Sequence, residues 1–205
     1  MSALTGIRVV ELAETVAGEY CGKLLADFGA EVIKVEAPEC GSPTRAMAPV
    51  LADGRDGSAL FAYLNTNKLS VVLDAGRLHR LIGSADAVIE DRASGWSDRH
   101  PSVVFCSITP FGNEAPAGFE NAKSANVFHA SGWGYHTPSH ADPGRPPLQG
   151  PGRFLVDYEA GLDAALCVAS SLFGRLHTER GEFVDVSQHA VLVSRADCIL
   201  GRFIT

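Results

Sequence analysis

The amino-acid sequence predicts an α/β fold: an open, mainly parallel sheet with helices on its flanks. Three observations carry that reading. Short β-branched runs recur along the first half of the chain, beginning with "IRVVELA". Segments of helical periodicity alternate with them. Strand, helix and strand also follow one another within about 30 residues, the size of a βαβ unit with a right-handed crossover.

The elements follow in order. "IRVVELA" (residues 7–13) reads as a buried strand, and "GEYCGKLLADFGA" (18–30) places Tyr20, Leu24, Leu25 and Phe28 at helical spacing. Gly29 stands where a helix C-terminus wants a residue free of a Cβ. "EVIKVEA" (31–37) is the second strand. A Pro/Gly-rich loop (38–57) leads to "ALFAYLN", an apolar segment that suits a short helix. "LSVVLD" (69–74), "ADAVIED" (85–91) and "SVVFCSIT" (102–109) are three more strands, with a short helix at 77–82. The alternation makes the sheet mainly parallel.

From residue 110 to 153 the chain is rich in Gly, Pro, His and Asn with weak periodicity, and is read as one long loop region. It resumes with a helix following Asp157, a turn at "HTERGE", the strand "FVDVS" and an apolar helix from about His189. No internal repeat divides the chain, so residues 1–205 are expected to form a single domain.

Composition narrows the function. With 46% hydrophobic and 20% charged residues this is an ordinary globular chain. At this size, folding buries roughly 70% of the unfolded surface. The net charge of −7 argues against a nucleic-acid binder. Five widely spaced cysteines with no Cys-x-x-Cys pair make neither a zinc site nor a disulfide framework. The opening "MSALTGIRVVELAETVAG" lacks the pattern of a secretory leader, and no run of about 18 apolar residues suggests a membrane span. A reduced, cytoplasmic protein is expected.

Several chemistries lack their motifs. The first strand-to-helix turn, "AETVAGEYCG", has Gly18 and Gly22 but no Gly-x-Gly-x-x-Gly, and there is no phosphate-binding Walker sequence. There is no Gly-x-Ser-x-Gly elbow. His129, His136 and His140 lie in the long loop without metal-ligand spacing and are read as surface histidines, so no metal is expected. One carboxylate stands out: Asp157, at the mouth of the apolar helix in "GPGRFLVDYEAGLDAALCVASSLFGRL" (150–176). Spacing alone favours a helix cap, since Asp is among the preferred N-cap residues. A nucleophile is the chemical alternative.

Taken together, "LTGIRVVELAETVAGEYCGKLLADFGAEVIKVEAP", "GSPTR", "NTNKLSVVLD", "ADAVIED", "SITPFGNEAPAG" and "DYEAGLDAALCVASSLFGRLHTERGEFVDVS" resemble the class III CoA-transferases of the CaiB/BaiF type. That family includes formyl-CoA and carnitine CoA-transferases and α-methylacyl-CoA racemase. The resemblance covers essentially the whole chain, which corresponds to the N-terminal half of family members. It implies a Rossmann-like large domain with the second domain missing. It places the family's nucleophilic aspartate at Asp157, which would attack an acyl-CoA thioester to give a mixed anhydride and then an aspartyl-CoA thioester. Covalent catalysis of this kind splits one hard exchange into easier steps.

The resemblance also implies coenzyme A or acyl-CoA as a substrate rather than a permanently bound cofactor, with a carboxylic acid as acceptor. Arg45, Lys68, Arg99 and Lys123 fall at or near positions where basic groups would meet CoA phosphates. Glu14 and Val16 stand where formyl-CoA transferase-like members carry His and Gln, Ala37 replaces an Arg, and Asp91 replaces a neutral amide. The racemase branch would need a His where Lys123 stands, with His129 nearby but out of register, so racemisation ranks below transfer. A non-catalytic CoA-binding or partner subunit is the alternative. Helices apolar on more than one face, "LDAALCVASSLF" and "AVLVSRADCILGRFI", imply a homodimer or a heteromer with a second CoA-transferase-type chain. No nucleic acid or membrane partner is expected.

Overall fold

Each β-branched run expected as a strand is one. In the computed structural model, which describes residues 2–50, 57–136, 144 and 152–196, six strands form one sheet in the order β3-β2-β1-β4-β5-β6. They are β1 (Arg8–Glu11), β2 (Glu31–Val35), β3 (Lys68–Val71), β4 (Ala87–Glu90), β5 (Val104–Thr109) and β6 (Phe183–Ser187). Every pairing is parallel, from Val32 opposite Lys68 to Thr109 opposite Ser187. A parallel sheet needs cover on both faces, and β4 and β5 are accordingly buried along their whole length.

Helices α1 (Val16–Asp27) and α6 (Leu155–Thr178) cover one face, where Val9, Val32, Ile89, Val104 and Cys106 meet Ala17, Cys21, Ala160, Ala164 and Val168. Helix α3 (Ala75–Gly83) covers the other, packing Ile82 against Val10, Val88 and Phe105. Two short helices, α2 (Ala59–Leu64) and α7 (Gln188–Ser194), flank this body. Helices α1 and α6 cross closely through small residues: a Cβ on Gly161 would lie 2.6 Å from the carbonyl oxygen of Ala17. Gly29 sits just beyond α1 at φ +97°, a conformation that side chains with a Cβ rarely adopt.

Two expectations change. The region 110–153 holds α4 (Ser124–Ala130) and α5 (Trp133–His136) rather than loop alone. Val127 and Phe128 of α4 are buried against Val156 and Leu192, so distant elements stabilise a helix whose own sequence has little periodicity. Asp157 is not the cap of its helix either. Helix α6 begins two residues earlier, and its N-cap position is Phe154, which makes no side-chain capping bond. His140, Cys198 and the end of the second apolar helix lie outside the described residues. Among the described residues, no helix is long and apolar enough to cross a membrane.

Candidate active site

Asp157 lies in the first turn of α6, 7% exposed. Its two carboxylate oxygens have different partners. Oδ2 accepts a short hydrogen bond from the hydroxyl of Ser124, the first residue of α4. Oδ1 accepts from Nε2 of Gln188 at 3.3 Å, from the first turn of α7. Gln188 is fixed by the end of the sheet: Ser187 caps α7 by accepting from the Ala190 N–H, and the His189 N–H donates to the Pro110 carbonyl. Burial pushes the Asp157 carboxyl above the usual aspartate range; the two donors act against that, and the Asp91 carboxylate adds to it. Among the described residues no side-chain cation bonds to Asp157, and its oxygens are held by neutral donors at the N-terminus of α6.

Two clefts adjoin this region. One, about 380 Å³, is lined by Ser124, Ala125, Phe128, Arg153, Leu155 and Val156. The other, about 720 Å³, opens beyond the C-terminal ends of β1, β4 and β5. There the strand order reverses direction, the place where open α/β sheets take ligands. Among the described residues, its walls carry Glu14, Glu90, Asp91 and Glu120 against one cation, Arg92.

Asp91 closes the bottom of this crevice. Its Oδ2 accepts the backbone N–H groups of Glu14, at 2.6 Å, and Thr15, at 3.2 Å, and its Oδ1 accepts the Thr15 hydroxyl at 2.6 Å. Thr15 in turn caps α1 by accepting from the Gly18 N–H. The protein's own carboxylate therefore takes the amides at the mouth of α1, which in a phosphate-binding turn would face the ligand.

The four expected basic contacts are dispersed. The Lys68 side chain is buried, and its ammonium donates to Glu11 Oε2 at 2.7 Å, to the Glu19 carbonyl at 2.7 Å and to Asn65 Oδ1 at 3.0 Å. Those bonds use all three donors of an ammonium, so the expectation that Lys68 meets a CoA phosphate does not fit its placement. Lys34 completes the cluster, 3.0 Å from Glu11 and 2.9 Å from Glu19. Arg45 forms a two-pronged pair with Glu36, at 2.7 and 2.8 Å, and lies over the Phe61 ring. Arg99 is exposed and stacked over Trp96. Lys123 is exposed at the start of α4, one residue before Ser124.

Ser124, Gln188 and Arg153 were not singled out by the sequence. Arg153 had a legible signal, a lone cation in the "GPGRF" that opens the Asp157 helix. Ser124 and Gln188 had none, because only the fold brings residues 33 and 31 positions away onto one carboxylate. Among the described residues no three His, Cys, Asp or Glu side chains gather as around a metal ion.

This arrangement can be set beside known proteins. The model of CoA-transferase family III matches residues 4–202. The chain is 31% identical over 217 residues to a succinate–glutarate CoA-transferase of Agrobacterium fabrum, covering 94% of this chain and 53% of that protein. It is 36% identical over 210 residues to a formyl-CoA:oxalate CoA-transferase of Afipia carboxidovorans, covering 93% and 47% respectively. The crystal structure of a CaiB/BaiF family protein from Brucella suis superposes with a TM-score of 0.82 at 30% identity, over 99% of this chain and 57% of that one. The chain thus spans about half the length of the curated relatives it matches. Its strand order, its core and its match along nearly the whole sequence agree: this chain belongs to CoA-transferase family III.

Proposed function

We propose that this chain carries the nucleophile-bearing part of a CoA-transferase that moves CoA between carboxylic acids, with Asp157 as the covalent nucleophile. The observation that supports it is the setting of Asp157: a buried carboxylate whose oxygens are held by two neutral donors and, among the described residues, paired with no side-chain cation. In its ionised form, a carboxylate whose pKa is raised by burial is a stronger nucleophile than an ordinary one. One of its oxygens attacks the thioester carbonyl carbon and the C–S bond breaks, giving a mixed anhydride and CoA thiolate. The thiolate then attacks the aspartyl carbon and expels the donor acid, leaving an aspartyl-CoA thioester for the acceptor acid. The relatives' names specify succinate, glutarate, formyl-CoA and oxalate, so small acids are the first substrates to try. Arg45, Arg99 and Lys123 remain the basic groups proposed to meet CoA phosphates.

Incubation with succinyl-CoA followed by hydroxylamine tests the reading. A hydroxamate on the Asp157 peptide, seen by mass spectrometry, supports it, and an unmodified peptide refutes it.

A second reading, a non-catalytic CoA-binding or partner subunit, is favoured by the acidic crevice and by the engagement of Lys68. In either case we assign the chain to a homodimer or to a complex with a second CoA-transferase-type chain. Helix α6 supports association, because it buries Val156, Ala164 and Val168 yet leaves Leu162, Leu166, Phe173 and Leu176 exposed.

A further inference from the structure

The unequal holding of the two Asp157 oxygens has a chemical consequence, and it rests on the reading of Asp157 as nucleophile. Ser124 lines the smaller cleft, whereas Gln188 is buried and is not part of that cleft's wall. Oδ2, bonded to Ser124, is therefore held from the side of the smaller cleft, which we take as the approach of the acyl thioester, and Oδ1, bonded to Gln188, is held from the interior. We infer that Oδ2 is the attacking oxygen, that Oδ1 remains on the aspartyl carbon through every step, and that Gln188 is the oxyanion donor to Oδ1.

The steps balance on that assignment. Oδ2 bonds to the acyl carbon as CoA thiolate leaves. The thiolate adds to the aspartyl carbon, and the electron pair of its carbonyl moves onto Oδ1. When that oxyanion collapses, the bond from the aspartyl carbon to Oδ2 breaks, and Oδ2 departs within the donor's carboxylate. The acceptor's carboxylate adds to the aspartyl thioester, again placing charge on Oδ1, and expels thiolate. The thiolate then attacks the acceptor's acyl carbon, forming the new acyl-CoA and releasing Asp157 with one oxygen derived from the acceptor.

Both additions at the aspartyl carbon put a full negative charge on Oδ1, where the resting carboxylate shares its charge between two oxygens. The amide of Gln188, 3.3 Å away in the resting enzyme, thus bonds most strongly in the transition states, as an oxyanion donor must. Contacts of this kind are often long at rest and tighten during reaction. The first attack, on the substrate's own thioester, places charge on a substrate oxygen and does not use Gln188.

The test follows succinyl-CoA and glutarate carrying ¹⁸O in both oxygens of each carboxyl through many turnovers, with mass spectrometry of the Asp157 peptide. One ¹⁸O, stable with further turnover, is the expected result, because only the Oδ2 position is renewed. Two ¹⁸O atoms in the wild type overturn the assignment while leaving Asp157 as nucleophile. No label at all overturns the reading of Asp157 and this inference with it. Gln188→Met, similar in shape and without a donor, should release one equivalent of CoA thiol per site at the wild-type rate and then turn over about 10²-fold more slowly. It should also admit a second ¹⁸O. A proportional loss of burst and turnover, or no loss, overturns the role of Gln188. The wild-type isotope count stands even if that variant folds poorly.

Discussion

Lys68 reaches Glu11 across β2, its Nζ 2.7 Å from Oε2, with both side chains shut away from water. Lys34, Glu19, Ser42, Thr44 and Asn65 close the cluster around them, so two carboxylates and two ammonium groups balance in the interior. Lys68→Met leaves a negative charge uncompensated there, and breaking a buried pair from one side costs about 3–5 kcal/mol. The double variant Lys68→Met with Glu11→Gln removes both charges together and should recover much of that loss. Denaturant unfolding of the two singles and the double measures the coupling; a Lys68→Met protein as stable as wild type would contradict the account.

Glu36 gives a pH signature. The Arg45 guanidinium, with help from Ser70 and the Ser42 N–H, holds its carboxyl down to about 2. Its folded pKa lies below its unfolded one, so its contribution is present above the unfolded value and is lost as pH falls towards 2. The contribution is at most about 3 kcal/mol, and smaller because Arg45 is partly exposed to screening solvent. Unfolding measured from pH 5 to pH 2 should therefore be steeper in wild type than in Glu36→Gln. Parallel curves would show that the pair contributes nothing.

A third prediction concerns the helix crossing that sets the position of Asp157. A Cβ at residue 161 meets backbone, the Ala17 carbonyl, along with the Tyr20 ring at 3.1 Å, so α1 and α6 must separate to admit it. Gly161→Ala should destabilise by about 1–3 kcal/mol, against the gain an exposed helical Gly→Ala gives. Gly174, with no described residue within 4 Å of its Cβ position, is the control on the same helix. Thermal melts of the two variants should move in opposite directions.

The sheet was legible because its inner strands are buried, β4 and β5 along their whole length, so each reads as a β-branched run that needs no partner to be recognised. Helix α4 was not: its apolar residues answer to Val156 and Leu192, far along the chain. Asp157 was legible as a residue; the cap that its spacing alone favours is absent, since α6 starts without a capping side chain. The burial of Lys68 does have a signal in the sequence. Glu11 and Lys34 sit inside apolar strand runs, and charges of opposite sign in such places must find each other. The distinction between Oδ1 and Oδ2 had no such signal, because it depends on three elements converging on one atom pair.

Asp91 offers a test of the crevice. Asn at this position can still accept the Glu14 and Thr15 N–H groups through its carbonyl while removing one negative charge from an acidic wall. If CoA phosphates enter there, Asp91→Asn should tighten CoA binding, with the gain largest at low ionic strength. Calorimetric titration with CoA at two salt concentrations measures it. Unchanged affinity at both would place the phosphates elsewhere.

The last prediction concerns Asp157 and separates structure from chemistry. Because Phe154 occupies the N-cap position, Asp157→Asn removes no capping bond. Burial raises the carboxyl's folded pKa above its unfolded one, so its favourable contribution is complete only at low pH and is lost as pH rises through the folded value. Above the folded value the ionised carboxylate is thus a burden on stability that Asn relieves. The variant should melt at or above the wild-type temperature at pH 7, with the difference narrowing towards pH 3. Asn offers the wrong group to one of the two donors, Ser124 or Gln188, which limits the gain. Its amide forms no anhydride, so CoA exchange between succinyl-CoA and glutarate should fall to background while the fold holds. In the wild type, the acid limb of the rate profile should lie above the ordinary aspartate range, since the reacting form is the ionised one. An Asp157→Asn protein that keeps most of the wild-type exchange rate would return this carboxylate to a structural role.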